Sequence, residues 1–278
     1  MKNFTLSLLA ASTAAALLAA CSTAEAAPEK TAAPSAGTIR IDTANPGAKI
    51  SPLLYGIFFE EINRAGEGGI YAEMIQNRSF EDNTSFPIAW LSDKAQISLD
   101  RTSPLNANNP TTLKVVAEAG GRVINGGFVG GPQGGNPRRA NRSWQDGISS
   151  QPGQIFMEAR AEYDLTFYAK SEKGSERLDI SVVGQDGKVI AHTSFTPTKD
   201  WRKYTFTLTA QRTDPNCQFV ISSGQAATYW LDMVSLFPRR TWNNRKNGLR
   251  PDLMKMVAAM KPAFVRFPGG CFVEGRGI

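Results

Sequence analysis

Leu178-Asp179-Ile180-Ser181-Val182-Val183, then Gly184-Gln185-Asp186-Gly187-Lys188, then Val189-Ile190-Ala191-His192-Thr193-Ser194 is the stretch that decides the fold class. Two alternating runs flank a turn signal, the pattern of a β-hairpin. Comparable runs stand at 113–117, 163–169, 203–209, 218–222 and 228–236, with turn residues between them. This regular spacing predicts an antiparallel β-sandwich over residues 88–237. Few stretches there would make a long helix. The 278 residues include 25 glycines and 16 prolines, which suits a turn-rich β fold, and 41% hydrophobic with 20% charged residues excludes wholesale disorder. The net charge of +6 is spread along the chain rather than gathered on one face, so no nucleic-acid partner is expected. His192 is the single histidine, which argues against a histidine metal site or a Ser-His-Asp triad.

The flanks have a different character. In residues 38–87, Thr38-Ile39-Arg40-Ile41-Asp42 reads as an alternating strand. Leu53 to Phe59 is almost wholly apolar, like a strand covered on both faces, and Glu60 and Glu61 stand at its C-terminal end. A glycine-rich loop follows, then Tyr71 to Asn77 with apolar positions at helical spacing. In residues 238–278, Asn247 to Asp252 leads into a helix over Leu253–Met260, which Lys261-Pro262 stops. Ala263 to Phe267 is then a short buried strand, and Pro268-Gly269-Gly270 a tight turn. The order strand, helix, sandwich, helix, strand predicts α/β plus all-β architecture: a β-sandwich inserted into an incomplete (β/α)8 barrel. Two βα units cannot close a barrel of about 250 residues, so the chain reads as the N-terminal fragment of a longer protein.

Residues 1–21 read as an export signal, with Lys2 ahead of an apolar run from Leu6 to Ala20. Leu18-Ala19-Ala20-Cys21 resembles the lipobox of bacterial lipoproteins, which would make Cys21 the lipid-bearing first residue; an ordinary signal peptide with a stray cysteine is the alternative. Ser22 after it suggests the outer membrane. Residues 22–37 could build no core and read as a flexible tether. The remaining cysteines, Cys217 and Cys271, would be buried thiols or site residues, since three cysteines cannot form a disulfide framework.

Two motifs are specific. One is Tyr55-Gly56-Ile57-Phe58-Phe59-Glu60-Glu61-Ile62-Asn63, continued by 68–73 and 77–81. The other is Asn247 to Asp252, Lys261-Pro262, and Arg266-Phe267-Pro268-Gly269-Gly270-Cys271-Phe272-Val273-Glu274-Gly275. Both resemble the α-L-arabinofuranosidases of glycoside hydrolase family 51, and the sandwich is similar to the galactose-binding-type module inserted in one branch of that family. The resemblance implies a (β/α)8 barrel, a C-terminal β-sandwich and retaining hydrolysis by two glutamates on later barrel strands. Retaining hydrolysis needs two carboxyl groups about 5–5.5 Å apart. The Asn-Glu pair that marks the family's acid/base occurs nowhere in this chain, so the fragment alone is expected to be inactive.

Carried over residue by residue, the resemblance makes Glu60 a ligand of arabinose hydroxyls and Arg266 a cation supporting the nucleophile. It places Gly269, Gly270 and Cys271 against the sugar. Glu61 is expected to leave the opposite face of the strand, and Glu274 to be a solvated loop carboxylate. No cofactor or metal is expected. The partners expected are an arabinose-containing plant polysaccharide or oligosaccharide and a membrane reached through a lipid anchor. A non-catalytic surface glycan-binding lipoprotein is the alternative, and a related endoglucanase a third reading. In the insert, Trp144, Trp201, Trp230 and Tyr229 could stack on sugars, but core positions are the stronger expectation for each tryptophan. Gly126 to Gly131 lacks the context of a nucleotide loop and reads as a turn-rich connection; His192 reads as a polar surface residue.

Overall fold

The computed structural model describes residues 37, 39, 41–61, 64–128 and 154–269. The chain divides into two compact units, Met1–Lys49 and Ile50–Ile278. In the first, the described residues form no strand, and Ile39 and Ile41 are exposed. The strand expected at 38–42 is therefore not present at its described residues: alternation alone does not make a strand without a partner edge to accept its hydrogen bonds. Cys21 and the lipobox lie outside the described residues, as do Trp144 and residues 270–278 with Gly270, Cys271 and Glu274.

The second unit is mostly sheet. Its main sheet contains β2 (Trp90–Asp100), β3 (Thr112–Asn125), β4 (Ile155–Met157), β5 (Glu162–Ser171), β6 (Leu178–Val183), β7 (Val189–Phe195), β8 (Arg202–Thr209), β9 (Asp214–Ser223) and β10 (Ala227–Pro238). The strand order is β7-β6-β9-β3-β10-β5-β8, with β2 on β3 and β4 on β9, and every pairing is antiparallel. Strand β3 is the organiser. Its first half pairs with β10 and its second half with β9, and the handover falls at Gly120-Gly121. A Cβ at Gly121 would lie 2.4 Å from the Lys94 carbonyl oxygen, so only glycine lets β2 and β3 cross so closely there.

Alternation fills the interior. Leu165, Phe167 and Ala169 of β5, Leu178, Ile180 and Val182 of β6, Phe219 and Ile221 of β9, and Tyr229 and Leu231 of β10 join one buried cluster. Phe167 packs on Phe195, Tyr204 and Phe206 with ring centroids 4.8, 5.5 and 6.2 Å away. Among the described residues the core tryptophan is Trp90, whose indole N–H donates to the Asn77 carbonyl at 3.1 Å. Trp201 and Trp230 are only half-buried and lie outside that cluster, which corrects the expectation that each would be core. His192 is exposed on β7, as expected. Cys217 is a buried free thiol that burial pushes up to about 12, so it is inert rather than a site residue.

Outside the sandwich, β1 (Ile57–Phe58) and β11 (Val265–Arg266) pair in parallel, Ile57 with Val265 and Phe58 with Arg266. Among the described residues the one α-helix, α1 (Pro251–Ala259), precedes β11; Pro251 suits its first turn, and Asp252 is acidic there and paired with Arg250. No residue of α1 is buried, and Leu53, Leu54, Tyr55, Phe58, Phe264, Val265 and Phe267 are all exposed. The run from Leu53 to Phe59 thus holds a two-residue strand that is only partly covered, with Ile57 and Phe59 half-buried and Leu53, Leu54, Tyr55 and Phe58 exposed. Tyr71 to Asn77, expected to be helical, is extended and irregular. The reason is Glu73, described next.

Candidate functional site

The parallel pair brings the two specific motifs together. Ile57 N–H donates to Phe264 O at 3.1 Å, Phe59 N–H to Arg266 O at 2.9 Å and Ala263 N–H to Tyr55 O at 2.9 Å. Glu60 stands two residues beyond the end of β1 and is half-buried. Gly269 ends the turn after β11 at φ +97°, and a Cβ there would lie 2.5 Å from Phe59 O and 2.7 Å from the Glu60 Cβ. Both the backbone angle and the space demand glycine. Arg266 lies over the Phe58 ring, 5.4 Å from its centroid, and is exposed. Phe59 and Phe267 stack at 5.9 Å. Glu61 is exposed, and its carboxylate accepts the Glu67 N–H at 3.1 Å, so it shapes the loop that follows.

That loop is tied to the sandwich by a buried carboxylate whose role no local pattern announces. Glu73 Oε1 accepts the N–H groups of Met74, Ile75 and Leu236, each at 3.0 Å, and Oε2 accepts the Ser235 hydroxyl at 2.6 Å. Burial raises the Glu73 carboxyl and these bonds oppose the rise. A carboxylate bonding its own next two backbone amides competes with helix formation, which is why helical spacing at 71–77 misleads. Arg250 N–H donates to Ile70 O at 2.8 Å and Val234 N–H to Arg78 O at 2.9 Å. The segment is thus held between β10 and the approach to α1.

A second cluster lies on the solvent face of the sandwich. Cross-strand pairing sets Ser98 beside Lys114, Lys114 beside Trp230, and Trp230 beside Lys170. Trp201 stands just before β8 at the end of this row. Lys170 Nζ is 4.9 Å from the Trp230 ring centroid and 5.3 Å from that of Trp201; Lys114 Nζ is 5.4 Å from Trp230. The Trp230 indole N–H donates to Asp100 at 2.7 Å and that of Trp201 to the Ser103 carbonyl at 3.1 Å. The signal was in the sequence: with Tyr229 inward, Trp230 must face outward. Among the described residues, no three of His, Cys, Asp and Glu converge as metal ligands would.

Comparison with known proteins fits this picture. A family described as "Carbohydrate binding domain" matches residues 72–228, more than half of the sequence. The chain belongs to this carbohydrate-binding domain family. Similarity extends beyond that domain into both flanks. The chain is 37% identical over 243 residues to an extracellular exo-α-L-arabinofuranosidase of Streptomyces chartreusis, covering 85% of this chain and 26% of that protein. It is 33% identical over 251 residues to α-L-arabinofuranosidase 1 of Arabidopsis thaliana, covering 87% and 35%. Among solved structures, an arabinose-bound α-L-arabinofuranosidase titled MgGH51 is similar with a TM-score of 0.66 and 28% identity, over 81% of this chain and 36% of that one. The resemblance drawn from the two motifs therefore holds across most of the chain. The carbohydrate-binding domain and its flanks together span only about a quarter to a third of these curated relatives.

Proposed function

We propose that this chain is the N-terminal part of an exported retaining α-L-arabinofuranosidase, which removes terminal non-reducing α-L-arabinofuranose from plant polysaccharides or oligosaccharides. The observation that carries the reading is the parallel β1–β11 pair, which brings Glu60 against Gly269 at the C-terminal ends of two neighbouring strands. Barrel enzymes build their sites at those ends. In this reading β1, α1 and β11 begin a (β/α)8 barrel, and the exposed Leu53, Tyr55, Phe58, Phe264 and Phe267 await the layers that further strands and helices would add.

Glu60 then accepts charge-assisted hydrogen bonds from arabinose hydroxyls. Arg266 keeps a glutamate nucleophile ionised; Gly270 and Cys271 line the sugar site; the nucleophile and acid/base belong to later strands. Residues 1–21 direct export, Cys21 carries lipid at the outer membrane, and 22–37 tether the enzyme. The extracellular Streptomyces relative supports export. The carbohydrate-binding domain holds the polysaccharide near the site. A purely glycan-binding role is disfavoured, because the similarity to the arabinofuranosidases reaches well past residues 72–228.

The test is hydrolysis of p-nitrophenyl α-L-arabinofuranoside. A protein extended to the length of its relatives should turn it over, and the 278-residue chain should not. In the extended protein, Glu60→Ala should lower kcat/KM by about tenfold to somewhat over ten-thousandfold, given about 1.5–3 kcal/mol for each of one or two charge-assisted bonds, with the pH profile unchanged. Turnover by the short chain, or none by the extended protein, overturns the reading.

A further inference from the structure

We propose that the row Lys114–Trp230–Lys170–Trp201 on the solvent face of the sandwich is a binding site for uronic-acid-bearing polysaccharide. This rests on the reading of the sandwich as a glycan-binding domain and adds which glycan it selects.

The arrangement is prebuilt. Both indoles are held by their N–H groups, Trp230 by Asp100 and Trp201 by the Ser103 carbonyl. Lys170 sits between the two rings, within 4.9 and 5.3 Å of their centroids, and its ammonium donates to the Ser103 hydroxyl at 2.5 Å. The pattern repeats beyond the pair: Lys203 lies 5.9 Å from the Tyr168 centroid on the same face. Indole faces stack on the apolar face of a sugar. An ammonium can donate to the hydroxyls of a neutral glycan, but only an acidic sugar also meets its charge. A hexuronate uses both: its ring stacks on Trp230 or Trp201 while its carboxylate reaches Lys170 or Lys114.

The charges nearby leave that role open. Asp100 attracts Lys170 and Lys114, and Asp200 also attracts Lys170. Both Asp100 oxygens are already engaged, Oδ2 by Trp230 and Oδ1 by the Thr102 N–H and hydroxyl. Partial desolvation of Lys170 lowers its pKa. An ammonium already stripped of part of its hydration gives up less water on meeting a carboxylate.

The experiment measures binding of the full chain to glucuronic-acid-substituted xylan, to the same xylan after chemical reduction of its carboxyl groups, and to dextran sulfate. Carboxyl reduction should weaken binding about tenfold or more, the loss expected for one charge-assisted contact. Lys170→Gln should remove most of that preference while keeping affinity for the reduced polymer. Trp230→Ala should weaken binding to both xylans. Lys170→Gln is a surface change, so its thermal melt should match the parent and its effect reads binding alone. Equal affinity for native and reduced xylan would overturn the acid selectivity and leave glycan binding standing. Binding to neither would overturn both. Dextran sulfate binding as tightly as native xylan, untouched by Lys170→Gln, would reduce the row to a non-specific anion surface and also overturn the proposal.

Discussion

The sandwich and the parallel pair treat the same kinds of residue in opposite ways. In the sandwich, Phe167, Phe219, Leu178 and Tyr229 are fully buried; in the parallel pair and its approaches, Tyr55 is 71% exposed, Phe58 59% and Phe267 70%. Burial of a large apolar side chain contributes about 1.5–3 kcal/mol, so one region holds most of its stabilisation internally and the other little. The β1–β11 pair is nonetheless in parallel register and its end is shaped by Gly269. The difference teaches that a local piece of geometry can be specified by backbone pairing and a glycine turn with little burial around it. Glu73 joins the two: its carboxylate belongs to the loop after β1, and two of its donors belong to β10.

The contrast can be broken most forcefully from the sandwich side. Phe167→Ala should cost about 3–5 kcal/mol of unfolding free energy, because it opens a cavity among Phe195, Tyr204 and Phe206. Urea denaturation reads it directly, and a cost near zero would mean the interior is not close-packed. Glu73→Ala should come next, at about 2–4 kcal/mol, since it strands the Ser235 hydroxyl and the Leu236 and Ile75 amides in a buried site. In that variant, amide exchange should quicken at Ile75 and Leu236 before it does at Phe167.

A pH experiment sharpens the picture further. Asp232 is fully buried, with Oδ2 lacking a hydrogen-bond partner among the described residues and Oδ1 accepting the Met233 N–H at 2.7 Å. Burial, aided by nearby Glu81, raises its carboxyl to about 7. The folded chain therefore holds this proton where the unfolded chain, near 4, has lost it, so stability falls as pH rises from about 4 to 7. Asp232→Asn should flatten that slope and add about 1–3 kcal/mol at pH 8, with thermal or urea unfolding at pH 5 and pH 8 as the check. An unchanged slope would place the titration elsewhere, with Glu73 the next candidate because its carboxyl is also raised. The smallest effect belongs to the open region: Phe58→Ala should change stability by less than about 0.5 kcal/mol, as an exposed side chain away from any core does.

Much of the sandwich was legible because its signal is local. The runs at 178–183 and 189–194 carry their alternation and their turn within one short stretch, and each became a strand. Strand β2 was not read, because Asp93 and Lys94 interrupt it; Asp93 is compensated by Arg122 on the neighbouring strand at 2.9 Å. Strand β4 has only three residues and exists through β9. The candidate site divides in the same manner. Glu60 and Arg266 stand at strand ends that the apolar runs announce, and Gly269 follows in the turn that a Pro-Gly-Gly sequence marks. Glu73 could not be read, because Ser235 and Leu236 lie far along the chain. The outward tryptophans were half-legible: parity fixes Trp230 once Tyr229 is placed, but only the register between strands sets Lys114 and Lys170 on either side of it.

Hydrogen exchange on the native chain tests the central contrast most directly. Amides of Val123, Leu165, Phe167 and Leu231 should exchange only through global unfolding, whereas those of Ile57, Phe59 and Ala263 should exchange through local opening, by about a hundredfold or more faster. In a protein long enough to add further strands, the second group should slow towards the first while the first stays as it was. Equal protection of both groups in the 278-residue chain would contradict the account, since the parallel pair would then be stabilised without the packing it is argued to await.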